Sequence, residues 1–292
     1  MIHSAHETNP IEVVEIDDKL ICFYWGRHPD HDNLDMRLGG GSYAIHKGDS
    51  AMVVDTMNFS EHGEWVQNYL RTRHSISNFT VIISHWHLDH IAGNCFYRDR
   101  TIVGHAHTRK NILVNKDAIE AGTLWSCPGF PAVPPNITFE KRLDLWLDDL
   151  KIELHEFSIH EPGHIAVILP HDKIMLPGDM LEDPIWIFNL EFEAPEIQLA
   201  EFERMMKMDI DKIYPAHCNL EVVKAGGYEK KLIKNNANYL RRMIADVERP
   251  DFNFKTAQEY IHNALTAGEL AWWEPYAEIH AENRAIIQKF GR

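Results

Sequence analysis

Four residues within one six-residue stretch have side chains that bind transition metals: His85, His87, Asp89 and His90. They follow residues 79–83, a short apolar run rich in β-branched side chains that predicts a buried strand. Positions i and i+2 lie on different faces of a helix, so these side chains converge only on a loop at the strand end. Imidazole suits zinc and neighbouring transition metals, and a carboxylate adds neutralising charge. The spacing therefore predicts a metal site at this strand end.

Three further residues are candidate ligands because each lies next to a predicted strand and beside Gly or Pro, which hold sharp turns. These residues are His164, Asp179 and His217. Four ligands cannot complete two metal sites, whereas seven can. His160, four residues before His164, is a weaker candidate because the seven already suffice. His105 and His107 form a second His-x-His pair, which we interpret as structural.

The order of these residues resembles the metallo-β-lactamase superfamily, especially its hydrolase branch typified by glyoxalase II and the lactonases. The family pattern is an Asp after an early strand, then HxHxDH, then a His, an Asp and a final His. The matching positions are Asp55, residues 85–90, His164, Asp179 and His217, and the resemblance covers about residues 11–220. It implies an α+β fold, the αββα metallo-β-lactamase sandwich, in residues 1–227. A helical C-terminal region, residues 228–292, is expected to pack on it.

The resemblance also implies two divalent metal ions, with zinc as the expected metal and iron or manganese as alternatives. One ion would bind three imidazoles, those of His85, His87 and His164. The other would bind Asp89, His90 and His217. Asp179 would bridge the two ions, and Asp55 would orient the site without binding metal. Asp89 is the expected catalytic residue, because its carboxylate can orient the nucleophile as well as bind metal.

The expected activity is that of a dinuclear metallohydrolase in which an activated water attacks an ester, thioester or lactone carbonyl. Alternatives on the same fold are phosphodiester hydrolysis, β-lactamase-like amide hydrolysis and iron-dependent redox chemistry. True metallo-β-lactamases usually carry Cys at the position of Asp179 and lack His90, and the iron oxidoreductases usually carry Glu at the position of His87. A purely structural metal site is a further alternative, but such sites are usually rich in Cys.

The elements that position these residues are predicted from apolar periodicity. A strand over residues 11–23 and two more at 42–45 and 51–54 predict an antiparallel opening. Further strands are expected at 101–103, 152–157, 165–169, 173–176 and 212–214. Helices are expected after Asp55, at 197–208 and through most of the chain from residue 228.

Substrate selection is expected from three loops, residues 28–41, 124–135 and 182–192, because function concentrates on loops over a rigid scaffold. Their aromatic side chains either line an apolar pocket or pack against the core or a partner subunit. The candidates for substrate contact are Trp125, Phe130, Trp186 and Phe188. The pocket interpretation predicts a small-molecule substrate with an apolar or aromatic body.

The bulk composition limits the remaining possibilities. The 292 residues are 45% hydrophobic and 25% charged, which is typical of an ordered globular protein. A formal net charge of -15 argues against nucleic acid as a partner. We find no apolar stretch near the ~20 residues that span a membrane. The polar first ten residues and four scattered cysteines lead us to expect a cytoplasmic protein without a signal peptide. The helical tail is a candidate homodimer face.

Overall fold

The computed structural model describes residues 11–27, 34–125, 127–188, 194–249 and 253–289. The chain divides into two compact units, Met1–Leu154 and His155–Arg292. Because residues 28–33 and 189–193 are not among the described residues, the predicted loops at 28–41 and 182–192 are described only in part.

The first unit contains a seven-stranded sheet in which the strands follow one another in chain order. The strands are β1 Glu12–Glu15, β2 Leu20–Trp25, β3 Gly40–Lys47, β4 Ser50–Val54, β5 Asn78–Ile83, β6 Thr101–His105 and β7 Ile137–Phe139. β1 to β4 pair antiparallel, and β4 to β7 pair parallel. Parallel strands are usually buried on both faces, which explains the continuous apolar run that ends β5.

The predicted single strand over residues 11–23 is instead the two strands β1 and β2. Between them, Asp17 Oδ1 accepts hydrogen bonds from the backbone N–H groups of Lys19 (2.9 Å) and Leu20 (2.8 Å). A short acidic side chain that bonds nearby backbone in this way stabilises a turn. Three consecutive polar residues, Asp17, Asp18 and Lys19, interrupt the apolar pattern at this turn, and the predicted strand ran across them.

The described part of the first unit contains the helices α1 Leu34–Leu38, α2 Ser60–Arg73, α3 Leu88–Ile91, α4 Ala106–Val114 and α5 Lys116–Ala121. A 3₁₀ helix, Ala92–Tyr97, follows α3 directly. A Cβ atom on Gly93 of this 3₁₀ helix would lie 2.7 Å from the Cα of Gly63 in α2. Only glycine at both positions permits this close approach of the two backbones.

The second sheet has five strands in the order β12-β11-β10-β9-β8. They are β8 Arg142–Leu147, β9 Leu150–Ile159, β10 Glu161–Leu169, β11 Ile174–Leu176 and β12 Lys212–Ile213. β10 pairs antiparallel with β11, and β11 pairs parallel with β12. A 3₁₀ helix, Gly178–Met180, follows β11.

The helices of the second unit are α6 Pro195–Met206, α7 Leu220–Lys224, α8 Lys231–Val247, α9 Ala257–Tyr260, α10 His262–Thr266 and α11 Tyr276–Gln288. Helix α8 buries a face at helical spacing that includes Leu232, Ala237 and Leu240, and it packs against α6 and α11. The C-terminal helices thus pack on earlier elements of their own unit. Among the described residues, no helix combines the length and apolar character needed to cross a membrane.

Candidate metal centre

In the first unit, the ligand-type residues lie at the carboxyl end of the parallel strands. Val54 of β4 pairs with Ile82 of β5, so the residues that follow the two strands emerge at the same edge. Asp55 follows β4, and His85 lies two residues after the end of β5. His87 immediately precedes α3, which carries Asp89 and His90. This edge therefore brings the HxHxDH segment and Asp55 together.

Asp55 holds this segment through three hydrogen bonds. Its Oδ1 accepts from the backbone N–H of Ser84 (2.7 Å), and its Oδ2 accepts from the Ser84 hydroxyl (2.7 Å). The Nδ1 atom of His90 lies 2.9 Å from the same Oδ2. A carboxylate only accepts, so His90 carries its proton on Nδ1 and its lone pair on Nε2. Asp55 thus orients the imidazole of His90. The Nε2 atom of that ring lies 3.4 Å from Asp89 Oδ2.

The Ser84 hydroxyl extends the same network to His85. Ser84 Oγ donates its one hydrogen to Asp55, and His85 Nδ1 lies 3.0 Å from Oγ. His85 must then donate from Nδ1, which leaves the lone pair on Nε2. Sequence analysis did not identify Ser84, although it directly precedes the first histidine of the motif.

The imidazoles of the first unit are close together and buried. The ring centroid of His85 lies 4.5 Å from that of His87 and 4.1 Å from that of His90. His85, Asp89 and His90 are buried, and His87 is half-buried. The potential ligand atoms of His85 and His87 lie within 4.8 Å of each other, as do those of Asp89 and His90. The ligand atoms within each of these two pairs are therefore close enough together to bind one metal ion.

In the second unit, Asp179 lies between two imidazoles. Strands β11 and β12 are parallel, and Asp179 and His217 follow them at the same sheet edge. Asp179 Oδ2 lies 3.3 Å from His217 Nε2 and 3.9 Å from His160 Nε2. His160 Nδ1 in turn donates to the backbone carbonyl of Ile187 at 3.1 Å. A carbonyl only accepts, so the His160 lone pair is on Nε2, the nitrogen near Asp179.

The structure brings His160, and not the sequence-predicted His164, to Asp179. Among the described residues, the side chains grouped as potential metal ligands include His160 and omit His164. The reason lies in the strand boundaries. Strand β10 begins at Glu161, so His164 is inside a strand, whereas His160 is the single residue between β9 and β10. The sequence pattern indicated a turn at residues 161–163 and so predicted His164, the residue after it, whereas the structure places His160 near Asp179.

Three residues of the candidate site have the left-handed backbone conformation that favours glycine. The φ angles are 60° for Asp55, 50° for Trp125 and 69° for His160. This conformation costs a residue with a Cβ atom about 1–2 kcal/mol. Such strain concentrates at functional sites, where the surrounding structure holds the side chain in place.

The four aromatic candidates for substrate contact lie in different environments. Trp125 is 42% exposed, and its ring centroid lies 5.1 Å from that of His87 and 4.9 Å from that of Trp86. Phe130 belongs to the hydrophobic core of the first unit. Trp186 and Phe188 are buried in the second unit. Their rings pack against each other and against Tyr239. Only Trp125 of the four therefore presents its side chain at the surface.

The second His-x-His pair has the structural role expected for it. His105 precedes α4, and its Nδ1 accepts a hydrogen bond from the backbone N–H of His107 (3.0 Å). The other ring nitrogen, Nε2, donates to the backbone carbonyl of Glu140 (2.7 Å). The imidazole of His105 thus caps α4 and hydrogen-bonds its N-terminus to the chain segment at Glu140.

The family model described as the metallo-β-lactamase superfamily matches residues 36–217, more than half of the chain. No match was found among curated proteins.

Three solved structures show the extent of the structural similarity. For a metallo-β-lactamase from Pontibacter korlensis, identity is 16%, the TM-score is 0.60, and the match covers 79% of this chain and 99% of that one. For a metallo-β-lactamase from Hirschia baltica, identity is 16%, the TM-score is 0.58, and coverage is 79% and 97%. For the DIM-1 metallo-β-lactamase, identity is 16%, the TM-score is 0.57, and the match covers 77% of this chain and 98% of that one. These similarities confirm the predicted fold class, with two sheets, flanking helices and additional C-terminal helices.

Proposed function

The chain belongs to the metallo-β-lactamase superfamily, and from this premise we propose that it is a dinuclear metal-dependent hydrolase of the glyoxalase II and lactonase branch. In the proposed reaction, water adds to the carbonyl and the acyl C–O or C–S bond breaks. An ester or thioester yields a carboxylic acid and an alcohol or a thiol, and a lactone yields one hydroxy acid. The substrate would be a small molecule with an apolar or aromatic body.

The observation that carries the proposal is the position of Asp179. A single carboxylate oxygen, Oδ2, lies within 4 Å of the Nε2 atoms of both His160 and His217. A carboxylate between two imidazoles is placed to bridge two cations. Structural zinc sites usually bind the metal through several Cys sulfur atoms. The carboxylate of Asp179 and the imidazoles around it are not such a ligand set. The Asp therefore favours the ester, thioester or lactone hydrolase over a structural zinc site and over the β-lactamase-like alternative, which usually carries Cys at this position.

The donor chemistry of the site residues fits divalent transition metals. Imidazole nitrogen and carboxylate oxygen are ligands for zinc, iron and manganese. We propose that one ion binds three imidazoles, those of His85, His87 and His160, with His160 replacing the His164 of the sequence-based set. The other ion would bind Asp89, His90 and His217. Asp179 would contact both ions.

The side chains of the site have distinct parts in the proposed reaction. Bound cations would supply a lower pKa for a reacting water and polarisation of the substrate carbonyl. Asp89 orients that water and accepts its proton, as a buried carboxylate at the edge of the imidazole cluster can. Asp55 and Ser84 hold His90 and His85 with Nε2 presented, and such outer hydrogen bonds raise the basicity of the ligand.

Trp125 is the residue that we propose for substrate contact. Its exposed indole lies against His87, which is the least buried of the HxHxDH ligands. A flat apolar surface beside a ligand is suited to hold the apolar part of a substrate while its carbonyl reaches the site. The buried positions of Phe130, Trp186 and Phe188 support the packing interpretation for those three.

The proposal is tested with a panel of hydrolysis assays on the zinc-loaded protein. The substrates are a γ-lactone, a glutathione thioester, an aryl ester, a β-lactam and an aryl phosphodiester. Each is run beside His87→Ala and beside the control His171→Ala, whose side chain is 89% exposed. Metal content is measured for every preparation, including the protein as purified.

We expect turnover of a carboxylic ester, thioester or lactone that His87→Ala loses and His171→Ala retains. Turnover confined to the β-lactam or the phosphodiester would reject the proposed substrate class and support the corresponding alternative. Iron in the purified protein, with no turnover in any arm and none after manganese or iron replaces zinc, would overturn the hydrolase proposal.

A further inference from the structure

The C-terminal helix α11 makes a paired contact with the segment that follows Asp179. Asn283 of α11 is fully buried. Its Oδ1 accepts from the backbone N–H of Phe188 at 2.7 Å, and its Nδ2 donates to the carbonyl of Trp186 at 2.8 Å. The side-chain amide thus bonds the backbone on both sides of Ile187, much as a neighbouring strand would.

The residue held between these two bonds is the one that orients His160. The carbonyl of Ile187 accepts the hydrogen of His160 Nδ1 at 3.1 Å, and His160 Nε2 lies 3.9 Å from Asp179 Oδ2. A hydrogen bond at one imidazole nitrogen determines which nitrogen can bind metal and the direction in which it points. Four residues thus form one path: Asn283, Ile187, His160 and Asp179.

Residues 182–188 depend on such contacts because they form neither a helix nor a strand. Their backbone groups bond instead to side chains of the C-terminal helices. Asn236 of α8 accepts from the backbone N–H of Glu182 and donates to the carbonyls of Glu182 and Pro184. Asn283 performs the same task at residues 186–188. These side-chain contacts hold the segment together with the backbone N–H of Asp183, which donates to the carbonyl of His217 at 3.3 Å.

We propose that Asn283 is a positioning residue of the metal centre, which it acts on through the Ile187 carbonyl and His160. The inference rests on the proposed function, because it requires His160 to bind metal. Asn283 lies outside the part of the chain that matches the family model, which ends at residue 217. The C-terminal helical region would therefore contribute to metal binding in addition to packing.

The test measures metal affinity and ligand geometry without relying on activity. Asn283→Asp is nearly isosteric and keeps the acceptor for Phe188, but it places a carboxylate oxygen against the Trp186 carbonyl. Zn²⁺ affinity is measured by competition with a chromophoric chelator, and the ligand field is read from the visible spectrum of the Co²⁺-substituted protein. The control is Tyr276→Phe, which removes a buried 2.9 Å hydrogen bond from the same helix to the Glu182 side chain.

We expect Asn283→Asp to weaken one Zn²⁺ site about 10-fold, the lower end of the effect of losing an outer partner of a ligand, and to shift the Co²⁺ spectrum. Tyr276→Phe should change neither. His160→Ala should weaken the same site, and adding Asn283→Asp to it should weaken that site no further, because both changes act on one path. Should Asn283→Asp not fold, Asn283→Ser, which keeps one donor and one acceptor, replaces it.

Wild-type affinity and spectrum in the folded Asn283 variant would overturn the inference. So would a loss of affinity that adds fully to that of His160→Ala, because the two residues would then act separately. A wild-type protein that binds no Zn²⁺ or Co²⁺ would overturn the proposed function as well, so the two failures are distinguishable.

Discussion

Three histidines of the candidate centre share one arrangement of hydrogen bonds. The Nδ1 atoms of His85, His90 and His160 donate to the Ser84 hydroxyl, the Asp55 carboxylate and the Ile187 carbonyl. Each partner is of a different chemical type, yet each leaves Nε2 as the nitrogen with the lone pair. Such consistent orientation is expected where imidazoles bind metal, because a histidine in the opposite tautomer could not bind through Nε2.

Asp179 offers the sharpest test at the residue scale. Asp179→Ala removes the proposed bridge, so we expect loss of at least one equivalent of bound metal. Activity should fall by more than the roughly 10–100-fold that loss of an outer partner costs. Metal analysis and steady-state rates measure both, with Asp209→Ala as control because that side chain is 80% exposed. Full metal content together with an unchanged rate would refute the bridging role.

Trp125 is predicted to affect binding more than chemistry. Trp125→Ala removes an exposed apolar surface beside His87, and burial of about half of such a side chain by a substrate is worth ~1.4 kcal/mol, or tenfold. We therefore expect KM for the turned-over substrate to rise about 10-fold with kcat within about twofold. Trp146→Ala, at a 60% exposed tryptophan in β8, is the control. An unchanged KM would exclude Trp125 from the substrate contact.

At the scale of elements, both units place ligand-type residues at the ends of parallel strands. Asp55 and the HxHxDH segment follow the parallel pair β4 and β5, and Asp179 and His217 follow the parallel pair β11 and β12. Parallel strands end at the same edge, so residues distant in sequence emerge side by side. Because these strands are held by pairing and burial, they fix the positions from which the segments with the ligand-type residues begin.

The C-terminal helices contain a buried histidine whose protonation is linked to stability. His280 of α11 donates from Nε2 to the carbonyl of Lys255 (2.9 Å), and its Nδ1 accepts from the Tyr239 hydroxyl (2.7 Å). Burial, with a smaller contribution from the positive charge of Arg284, lowers the pKa of His280. The folded protein therefore keeps this imidazole neutral at pH values where the unfolded chain protonates it.

This shift determines the sign of a pH effect. The unfolded pKa is about 6.5, so below that pH the unfolded chain binds more protons and the free energy of unfolding decreases as the pH falls. The decrease ends below the folded pKa. His280→Gln keeps a donor and an acceptor but does not titrate. Between pH 7.5 and 5.5, its free energy of unfolding should fall less than that of the wild type.

Denaturant unfolding of the metal-free protein at both pH values checks this prediction. His171→Gln serves as the control variant, because the His171 side chain is 89% exposed. Equal pH dependence of wild type and His280→Gln would show that His280 does not carry the effect.

At the scale of the whole molecule, the proposed ligands are spread along the chain from residue 85 to residue 217. Metal binding should therefore be linked to folding, because the unfolded chain does not hold these residues together. Metal in 100-fold excess over Kd stabilises the native state by about 2.7 kcal/mol. For a chain of this size, that corresponds to roughly 4–5 °C in Tm.

Thermal unfolding with Zn²⁺ and after chelation measures this difference. We expect the chelated protein to unfold at the lower temperature and to regain the higher Tm when Zn²⁺ is restored. Asp179→Ala should show a smaller difference than wild type, and His171→Ala the same difference. Identical Tm values with and without metal in the wild type would contradict the linkage.

The sequence alone determined the chemistry of the HxHxDH segment and the fold class. Both follow from local patterns: ligand-type residues at fixed spacing after an apolar run, and strands and helices that show their period within a few residues. The fold class is confirmed. The prediction that Asp179 and His217 follow strands also agrees with the structure, because β11 is a short apolar run directly before Pro177 and β12 ends two residues before Pro215.

The tertiary structure decided what depends on contacts between residues distant in the chain. Sequence spacing could not choose between His160 and His164, because that choice depends on where β10 begins and which imidazole faces Asp179. Composition could not separate the buried Trp186 and Phe188 from the exposed Trp125, since an aromatic residue suits a core as well as a pocket. Asn283 had no local signal at all: its role arises only where the fold brings α11 against residues 186–188.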